Sequence, residues 1–226
     1  DEFLSSNAAI QDVQNAAVAW ADYGQDFDLD ILLVGENREG DRISRIYRNT
    51  NGAFSERDEP LADAKNAAAG FLDFDNDGDL DLLIAGQEED GAATRLYASD
   101  GGDFSDTKLS FVGVENGAIE LADVDNDGVE DILVSGTGQN GRSTRLYKRA
   151  ADQFQEIVTA IPGLADGSFH LADFDNDGDL DVAVSGRTGE GPLTRIYRNN
   201  SNMKNAPPST PVIMPIAQAR NVFTPN

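Results

Sequence analysis

The chain repeats itself about every 50 residues, and this period restricts the fold more than any other feature. The patterns SRIY, TRLY, TRLY and TRIY place four tyrosines at intervals of 50: Tyr47, Tyr97, Tyr147 and Tyr197. An apolar run upstream of each tyrosine ends at a glycine: Gly35, Gly86, Gly136 and Gly186. Phenylalanines keep the same phase: Phe3, Phe54, Phe104 and Phe154. Four copies in register predict a repeat protein with one structural unit per copy.

Each unit has the pattern of four short β-strands, here called A to D. In the third copy, NGAIELAD alternates apolar with polar residues, DILVSG is a β-rich apolar run, and STRLYKR and DQFQEIV follow. Gly, Asn and Asp separate the runs, as expected for turns. The predicted fold class is all-β, a β-propeller of four-stranded antiparallel blades over residues 1–200. Residues 201–226 hold five of the eight prolines and are predicted to form a linker or tail.

The phase of the repeat bears on how the ring closes. The chain begins at a D strand around Phe3 and ends, after three full sets, with strands A, B and C up to Tyr197. The N-terminal strand is therefore predicted to complete the last blade, giving four blades of four strands without an open edge. The alternative is half of a larger ring, in which case a second copy could pair with it as a homodimer.

Charge and composition exclude several classes of partner. The formal net charge is -24, so the chain lacks the clustered Lys and Arg that nucleic acids and anionic membranes require. Hydrophobic residues make up 39% without any run long enough for a membrane span, which predicts a soluble globular chain with no membrane insertion. Cysteine is absent, so disulfides do not brace the fold.

The acidic residues are concentrated in four nine-residue windows that share the repeat. DFDNDGDLD occurs at 73–81 and again at 173–181, DVDNDGVED at 123–131, and DYGQDFDLD at 22–30. Alternate aspartates in a tight loop can direct carboxylates at one point, and the central glycine permits the left-handed backbone that such a loop needs. A hard oxygen cage of this kind suits Ca²⁺. Zinc is disfavoured because the chain has one His and no Cys. An EF-hand would need Glu at position 12, where Ile84, Val134 and Val184 stand.

The D-x-D-x-D-G-x-x-D loop before a β-strand, once per unit, resembles the FG-GAP/VCBS repeats of integrin alpha-subunit propellers and bacterial surface proteins. The resemblance implies about three Ca²⁺ ions, each held by side chains at loop positions 1, 3, 5 and 9 and by the carbonyl at position 7. The implied ligands are Asp73, Asp75, Asp77, Asp79 and Asp81; Asp123, Asp125, Asp127, Val129 and Asp131; and Asp173, Asp175, Asp177, Asp179 and Asp181. The first window keeps Asp22, Asp26 and Asp30 but has Gly24 at position 3 and Phe27 at the glycine position, so a weak or empty site is expected there.

These features together predict a non-catalytic, calcium-binding module, secreted or at a bacterial cell surface, that binds an extracellular protein or glycan. The alternatives are an accessory propeller of a polysaccharide-active enzyme and a structural spacer. The single histidine, His170, is expected to be structural, as no nucleophile motif accompanies it. Trp20 is expected in the core, and the arginines of the repeated Arg-x-Tyr pattern are expected to pack between blades or neutralise loop aspartates. The final NVFTPN is similar to the opening of sorting domains used in type IX secretion.

Overall fold

A computed structural model describes residues 2–6, 8–150 and 153–200 of the 226-residue chain. All regular structure in these ranges is β-strand, and no helix there could cross a membrane. The predicted tail, 201–226, lies outside the described residues. The fifteen strands are β1 (Gln14–Ala21), β2 (Asp30–Glu36), β3 (Arg42–Thr50), β4 (Ala53–Arg57), β5 (Lys65–Leu72), β6 (Asp81–Glu88), β7 (Gly91–Asp100), β8 (Asp103–Asp106), β9 (Glu115–Ala122), β10 (Asp131–Gly138), β11 (Gly141–Ala150), β12 (Gln153–Ile157), β13 (Ala165–Ala172), β14 (Asp181–Thr188) and β15 (Gly191–Tyr197).

The strands form four antiparallel sheets, each made from consecutive strands. Blades 1, 2 and 3 have the orders β1-β2-β3-β4, β5-β6-β7-β8 and β9-β10-β11-β12, and blade 4 has β13-β14-β15. The first strands of neighbouring blades pack side by side, β1 on β5, β5 on β9 and β9 on β13. This is the arrangement of β-propeller blades, so the fold class predicted from the repeat is confirmed.

The hydrophobic core lies between blades, because neighbouring sheets bury their facing sides against each other. Between blades 1 and 2, Leu32 and Val34 pack with Leu82 and Ile84. Leu83 and Ala85 face Ile132 and Val134 between blades 2 and 3, and Leu133 meets Val182 and Val184 between blades 3 and 4. The B strands lie within this core. Their sequences are therefore continuous apolar runs rather than alternations of apolar and polar residues.

The repeated glycine at the end of each B strand faces a bulge in the A strand. In blade 2 the β5–β6 register shifts between Lys65 and Ala68, and Asn66 adopts a left-handed φ of 51°. A Cβ on Gly86 would lie 2.9 Å from the Cβ of Ala67, closer than two carbon atoms can pack. The glycine is therefore required by the close approach of the neighbouring strand.

The predicted closing strand around Phe3 is not formed. Residues 2–6 have no strand, Phe3 is fully exposed, and the described part of blade 4 has three strands. Pairing Phe3 with β15 would require the two ends of the array to meet, yet β1 and β13 do not pack together as neighbouring first strands do. Ile10 and Val13 instead cover part of the outer face of blade 1. The four blades thus form an open array over the described residues.

The prediction that Trp20 lies in the core is also wrong, because the ends of the array do not meet. Its counterparts Phe71 and Leu121 are partly buried against the preceding blade, whereas Trp20 is 56% exposed. Its ring contacts Phe54 edge-on, with centroids 6.0 Å apart. Blade 1 has no preceding blade within the described chain, so the same repeat position is buried in some blades and open in the first.

The repeated tyrosines tie each blade to the segment that precedes it. The Tyr47, Tyr97 and Tyr147 hydroxyl oxygens accept hydrogen bonds from backbone N–H groups at 3.2, 2.9 and 2.8 Å. The donors occupy equivalent repeat positions: Gln11, Ala62 and Val112. In the fourth copy this position is Pro162, which has no N–H, and the buried Tyr197 hydroxyl has no hydrogen-bond partner.

Replacing tyrosine by phenylalanine should therefore have unequal effects in different blades. Tyr97→Phe removes a hydrogen bond and leaves the partly buried Ala62 N–H without its partner, so it should lower the free energy of unfolding by about 1–2 kcal/mol. Tyr197→Phe removes only a buried hydroxyl that has no partner and should leave stability unchanged or slightly higher. Urea denaturation of both variants beside the wild type measures this, and equal losses would contradict the role assigned to the N–H donors.

Candidate metal centres

The four acidic windows lie at the same edge of the array. Each follows an A strand and ends on the first residue of a B strand; they are called loop 1 (22–30), loop 2 (73–81), loop 3 (123–131) and loop 4 (173–181). Because the A strands are side by side, successive loops also contact each other. The Gln25 Nε2 amide donates to the Gly78 carbonyl at 3.0 Å and to Asp79 Oδ1 at 2.6 Å. Asn126 makes the corresponding contacts to Gly178 and Asp179 at 2.9 and 3.3 Å.

Left-handed backbone at two points turns each loop inward. Asn76, Asn126 and Asn176 have φ of 59°, and the glycines two residues later have φ of 94°, 91° and 94°. Loop 1 makes the same turn with Gln25 at 52° and Phe27 at 68°. A side chain is costly in this region, so Phe27 strains the loop as the sequence indicates. Its ring is almost fully exposed.

The first aspartate of each loop holds the turn together by accepting backbone hydrogen bonds. Asp123 accepts from the N–H groups of Asp127 and Gly128 at 3.0 and 2.9 Å. Asp173 accepts from Asp177 and Gly178 at 3.1 Å each. Asp22 does the same in loop 1, and Asp73 accepts from Gly78. The four loops therefore share one backbone shape, whether or not their other ligand positions are complete.

The ninth residue closes each loop from the protein interior. Asp81, Asp131 and Asp181 are at most 2% exposed. Asp81 accepts from the N–H groups of Phe74 and Ser99 at 2.7 and 2.8 Å, one on each oxygen, and Asp131 and Asp181 repeat the pattern. Burial raises the pKa of Asp81 to about 6, and it also raises the pKa of Asp131. These carboxylates are anchored to the backbone while retaining lone pairs for a further partner.

Three loops bring carboxylate oxygens within 4.8 Å of one another. The groups are Asp73, Asp75 and Asp81 in loop 2; Asp123, Asp125 and Asp127 in loop 3; and Asp173, Asp175 and Asp181 in loop 4. Asp77, Asp177 and Asp131 complete the sets that the sequence predicts, but they are not part of these close groups. Asp77 and Asp177 each use one oxygen to accept from the N–H of the residue at position 7.

Position 7 is expected to contribute a backbone carbonyl rather than a side chain. The Asp79 carboxylate accepts from Gln25 and from the Gly101 N–H at 2.8 Å, and so is directed away from the cluster. Asp179 is buried beside Asn126, and Val129 has no side-chain ligand to offer. The ligand role of the carbonyls of Asp79, Val129 and Asp179 stays a prediction.

Each of the three clusters contains a buried oxygen without a hydrogen-bond partner. These are Asp73 Oδ1 in loop 2, Asp125 Oδ1 in loop 3 and Asp175 Oδ1 in loop 4. A carboxylate oxygen that is removed from water and left unpaired destabilises the fold, and a neighbouring carboxylate adds repulsion. A hard divalent cation would relieve both effects, so the donor set fits Ca²⁺.

Loop 1 differs because an arginine occupies it. A Cβ on Gly24 would lie 3.2 Å from Nη2 of Arg48, so the guanidinium fills the space beside the missing third aspartate. Arg48 pairs with Asp26 at 3.1 Å, and this hydrogen bond lowers the pKa of Asp26. Asp30 is fully buried with one oxygen, Oδ2, lacking a hydrogen-bond partner.

Sequence reasoning missed the basic residues that contact the loops. Arg48, Lys148 and Arg198 each directly follow a repeated tyrosine, and all three pair with a loop aspartate. The arginines of the Arg-x-Tyr pattern instead pair away from the loops. Arg95 bridges Glu88 and Asp106, and Arg145 pairs with Glu156. The missed signal was the basic character at the position after tyrosine in three of four copies.

His170 lies on the exposed side of β13. Its side chain is 85% exposed and its Nδ1 is 3.6 Å from Glu120. It precedes Asp173 of loop 4 by three residues, yet it contributes to none of the carboxylate groups found in the described residues.

Comparison with protein families recognises the same repeat. The model of the FG-GAP-like repeat matches three overlapping segments, 22–84, 73–134 and 123–184. No curated protein matches the chain in sequence. Among solved structures, the exo-beta-1,3-galactanase of Phanerochaete chrysosporium is similar. Its galactose complex gives a TM-score of 0.48 at 11% identity, over 80% of this chain and 45% of the galactanase. A galactotriose complex of a variant gives 0.47 at 12%, over the same shares.

The chain therefore spans less than half the length of these structures. The three family matches begin at the first aspartate of loops 1, 2 and 3 and each runs through the next loop to the strand beyond it, so the repeat unit recognised is the loop and blade described above. Together they span residues 22–184, more than half of the 226 residues, and the chain belongs to the family of FG-GAP-like repeat proteins.

Proposed function

We propose that the protein is a non-catalytic calcium-binding module, secreted or at a bacterial cell surface, in which Ca²⁺ braces the loops of a propeller that binds an extracellular protein or glycan. The observation that carries the calcium role is the buried, partnerless carboxylate oxygen found in each of loops 2, 3 and 4. It lies within a group of three aspartates whose oxygens are within 4.8 Å of one another.

The ion that best suits these loops is Ca²⁺. The ligands are carboxylate and carbonyl oxygens on a flexible loop, and Ca²⁺ takes six to eight such ligands. Mg²⁺ demands a tighter octahedron and keeps more of its water, and zinc prefers nitrogen and sulfur. In each loop the first and ninth residues are already oriented by backbone hydrogen bonds, so binding requires little reorganisation of the site.

Calcium would stabilise the fold because the folded loop collects ligands that the unfolded chain keeps apart. The ninth residue begins a B strand, and the B strands of blades 2, 3 and 4 form the core between blades. An ion at the loop would thus link the edge of the propeller to its core. Each site contributes about 2.7 kcal/mol when the free ion is at 100 times its Kd.

No catalytic step is assigned to the chain. The acidic clusters repeat in three blades, and a repeated feature serves the common architecture better than a unique reaction. The single histidine is exposed on a strand rather than placed in a cleft with a nucleophile.

We also propose that a second copy of the chain continues the array at its open ends. Ile46 and Leu96 are fully buried against the next blade, whereas their counterpart in blade 4, Ile196, is 58% exposed. At the other end Trp20 is open although its counterparts face a preceding blade. A blade 1 from a second copy would therefore present to blade 4 the kind of face that blades 2 to 4 already present within one chain.

Calcium should raise the melting temperature of the chelated protein. We expect about three ions per chain by native mass spectrometry, and two ions in Asp125→Asn, which keeps the shape of the side chain but removes its charge from loop 3. Asp90→Asn, an exposed position in the β6–β7 hairpin, is the matched control and should still take up three. A wild-type protein without bound Ca²⁺, or without a shift in melting temperature, would show the proposal to be wrong.

The metal-free protein should become less stable as pH rises from 5 to 7.5. The folded-state pKa of Asp81 is raised from 3.8 to about 6, so its protonated form stabilises the fold, and this contribution is lost as pH rises through 6. Asp26 and Glu36 have lowered pKa values, so their contributions to stability change with pH only in more acidic solution. Ca²⁺ requires the ionised carboxylates, so its stabilisation should be larger at pH 7.5 than at pH 5. Melting curves in chelator and in calcium at both values test this, and an apo protein that is more stable at pH 7.5 would contradict it.

Light scattering should give a solution mass about twice 24.2 kDa if the open ends pair. Trp20→Glu places a charge on the exposed face of blade 1 and should give the monomer mass. Phe27→Glu, which changes an exposed aromatic in loop 1, is the control and should keep the dimer. A monomeric wild type at tens of micromolar would rule out this assembly.

A further inference from the structure

One position next to the loops differs systematically among the blades. The residue directly after each repeated tyrosine lies on the C strand or, in blade 4, directly after it, and is Arg48, Ala98, Lys148 or Arg198. The three basic side chains all reach the loop of their own blade: Arg48 to Asp26 at 3.1 Å, Lys148 to Asp125 at 3.1 Å, and Arg198 to Asp175 at 2.5 Å. Blade 2 has alanine, which offers no charge.

The basic side chains contact aspartates at different positions of their loops. Lys148 and Arg198 contact the third loop residue, Asp125 or Asp175, through Oδ2. In loop 1 the third residue is Gly24, and the guanidinium of Arg48 passes over it to reach the fifth residue, Asp26. An aspartate at position 24 would require Arg48 to shift, since its Cβ would lie 3.2 Å from Nη2. Arg48 thus lies against the position that the third aspartate takes in the other loops.

Lys148 and Arg198 leave one oxygen of the third aspartate without a partner. Each pairs with one oxygen of the third aspartate, while the other oxygen, Asp125 Oδ1 or Asp175 Oδ1, is buried without a hydrogen-bond partner. The negative charge of loops 3 and 4 is therefore only partly neutralised by basic side chains of the protein. In loop 2 the first aspartate has the partnerless oxygen, Asp73 Oδ1, and no ion pair from Lys or Arg to the loop 2 carboxylates is found in the described residues.

We propose that the residue after the repeated tyrosine sets how strongly each loop depends on calcium. Arg48 takes the place of the ion in loop 1, Lys148 and Arg198 weaken but do not prevent its binding in loops 3 and 4, and Ala98 leaves loop 2 as the tightest site. This inference rests on the proposed calcium role. Its physical basis is that a fixed positive charge near a site competes with a divalent cation for the same carboxylates.

The ordering can be measured in full-length chains that retain one site each. Asp125→Asn with Asp175→Asn leaves loop 2, and Asp75→Asn with Asp175→Asn leaves loop 3. Isothermal titration with Ca²⁺ should give a Kd for loop 2 about 3–10-fold lower than for loop 3. Adding Ala98→Lys to the first background should raise the Kd of loop 2 by a similar factor, and adding Lys148→Ala to the second should lower that of loop 3. Ala98→Ser is the uncharged control for the first swap and should leave the Kd of loop 2 unchanged.

Hydrogen exchange on the wild-type protein tests the same order without substitutions. As free Ca²⁺ is lowered with chelator, amides of loop 2 should lose protection last, those of loops 3 and 4 earlier, and those of loop 1 should not respond. Arg48→Ala should lower the melting temperature in chelator by an amount that added Ca²⁺ does not restore, because loop 1 lacks the third ligand.

The outcomes separate this inference from the proposed function. A wild-type chain that takes up no Ca²⁺ contradicts the calcium role itself. A chain that takes up Ca²⁺ with equal affinities in loops 2 and 3, unaffected by Ala98→Lys and Lys148→Ala, leaves the calcium role intact and overturns the ordering. A response of loop 1 to Ca²⁺ equal to that of loop 2 would overturn the assignment of Arg48.

Discussion

The contact on which the structure depends is the buried aspartate that ends each acidic loop. In loops 2, 3 and 4 it accepts two backbone hydrogen bonds, one from the loop and one from the C strand or the residues directly after it, and so joins the A–B turn to the middle of its blade. In loop 1, Asp30 accepts the bond from the C-strand residue Asn49, whereas its other oxygen has no hydrogen-bond partner among the described residues. A charge removed from water in this way is stable only when its partners are complete. In loops 2, 3 and 4, three carboxylates lie within 4.8 Å of one another, so the same loop that is ordered by its closing aspartate also concentrates negative charge. The fold therefore creates a demand for positive charge at the loop edge of these blades, and Asp22, Asp26 and Asp30 place carboxylates at the same edge of blade 1.

The four blades meet this demand in different ways although their backbones are alike. Loop 1 is strained at Phe27 and lacks the third aspartate, yet its closing Asp30 and its capping Asp22 keep the common shape, with Arg48 supplying the charge. Loops 3 and 4 have a basic neighbour and a complete set of aspartates. Loop 2 has a complete set of aspartates, and Ala98 takes the place of the basic neighbour. The amide contacts from Gln25 to loop 2 and from Asn126 to loop 4 join successive loops, so ordering one loop will support the next.

Much of the fold and of the site could be predicted from the sequence because each depends on local spacing. The 50-residue period and the strand patterns predicted four-stranded blades, and the aspartate spacing predicted the loops that hold the carboxylate groups. Errors arose where a residue's surroundings lie outside its own repeat. Trp20 matches buried positions in other blades, but blade 1 has no preceding neighbour. Phe3 matches the D strands, but its predicted partner β15 lies at the far end of the array. The ligand role of Asp131 stays a prediction, because it accepts the same two backbone hydrogen bonds as its counterparts but lies outside the close group of loop 3.

The sequence alone determined the unit: its length, its four strands, the left-handed turn at Asn and Gly, and the positions of the aspartates, because all of these depend on residues near one another in the chain. Only the tertiary structure decided which units are complete. Burial between blades depends on whether a neighbouring sheet is present, so equivalent residues such as Leu96 and Ile196 differ in exposure. The pairing of Arg48, Lys148 and Arg198 with the loops depends on the C strand lying beside the A–B turn, a contact across about 22 residues; the repeated basic position is visible in the sequence, but its partner is not.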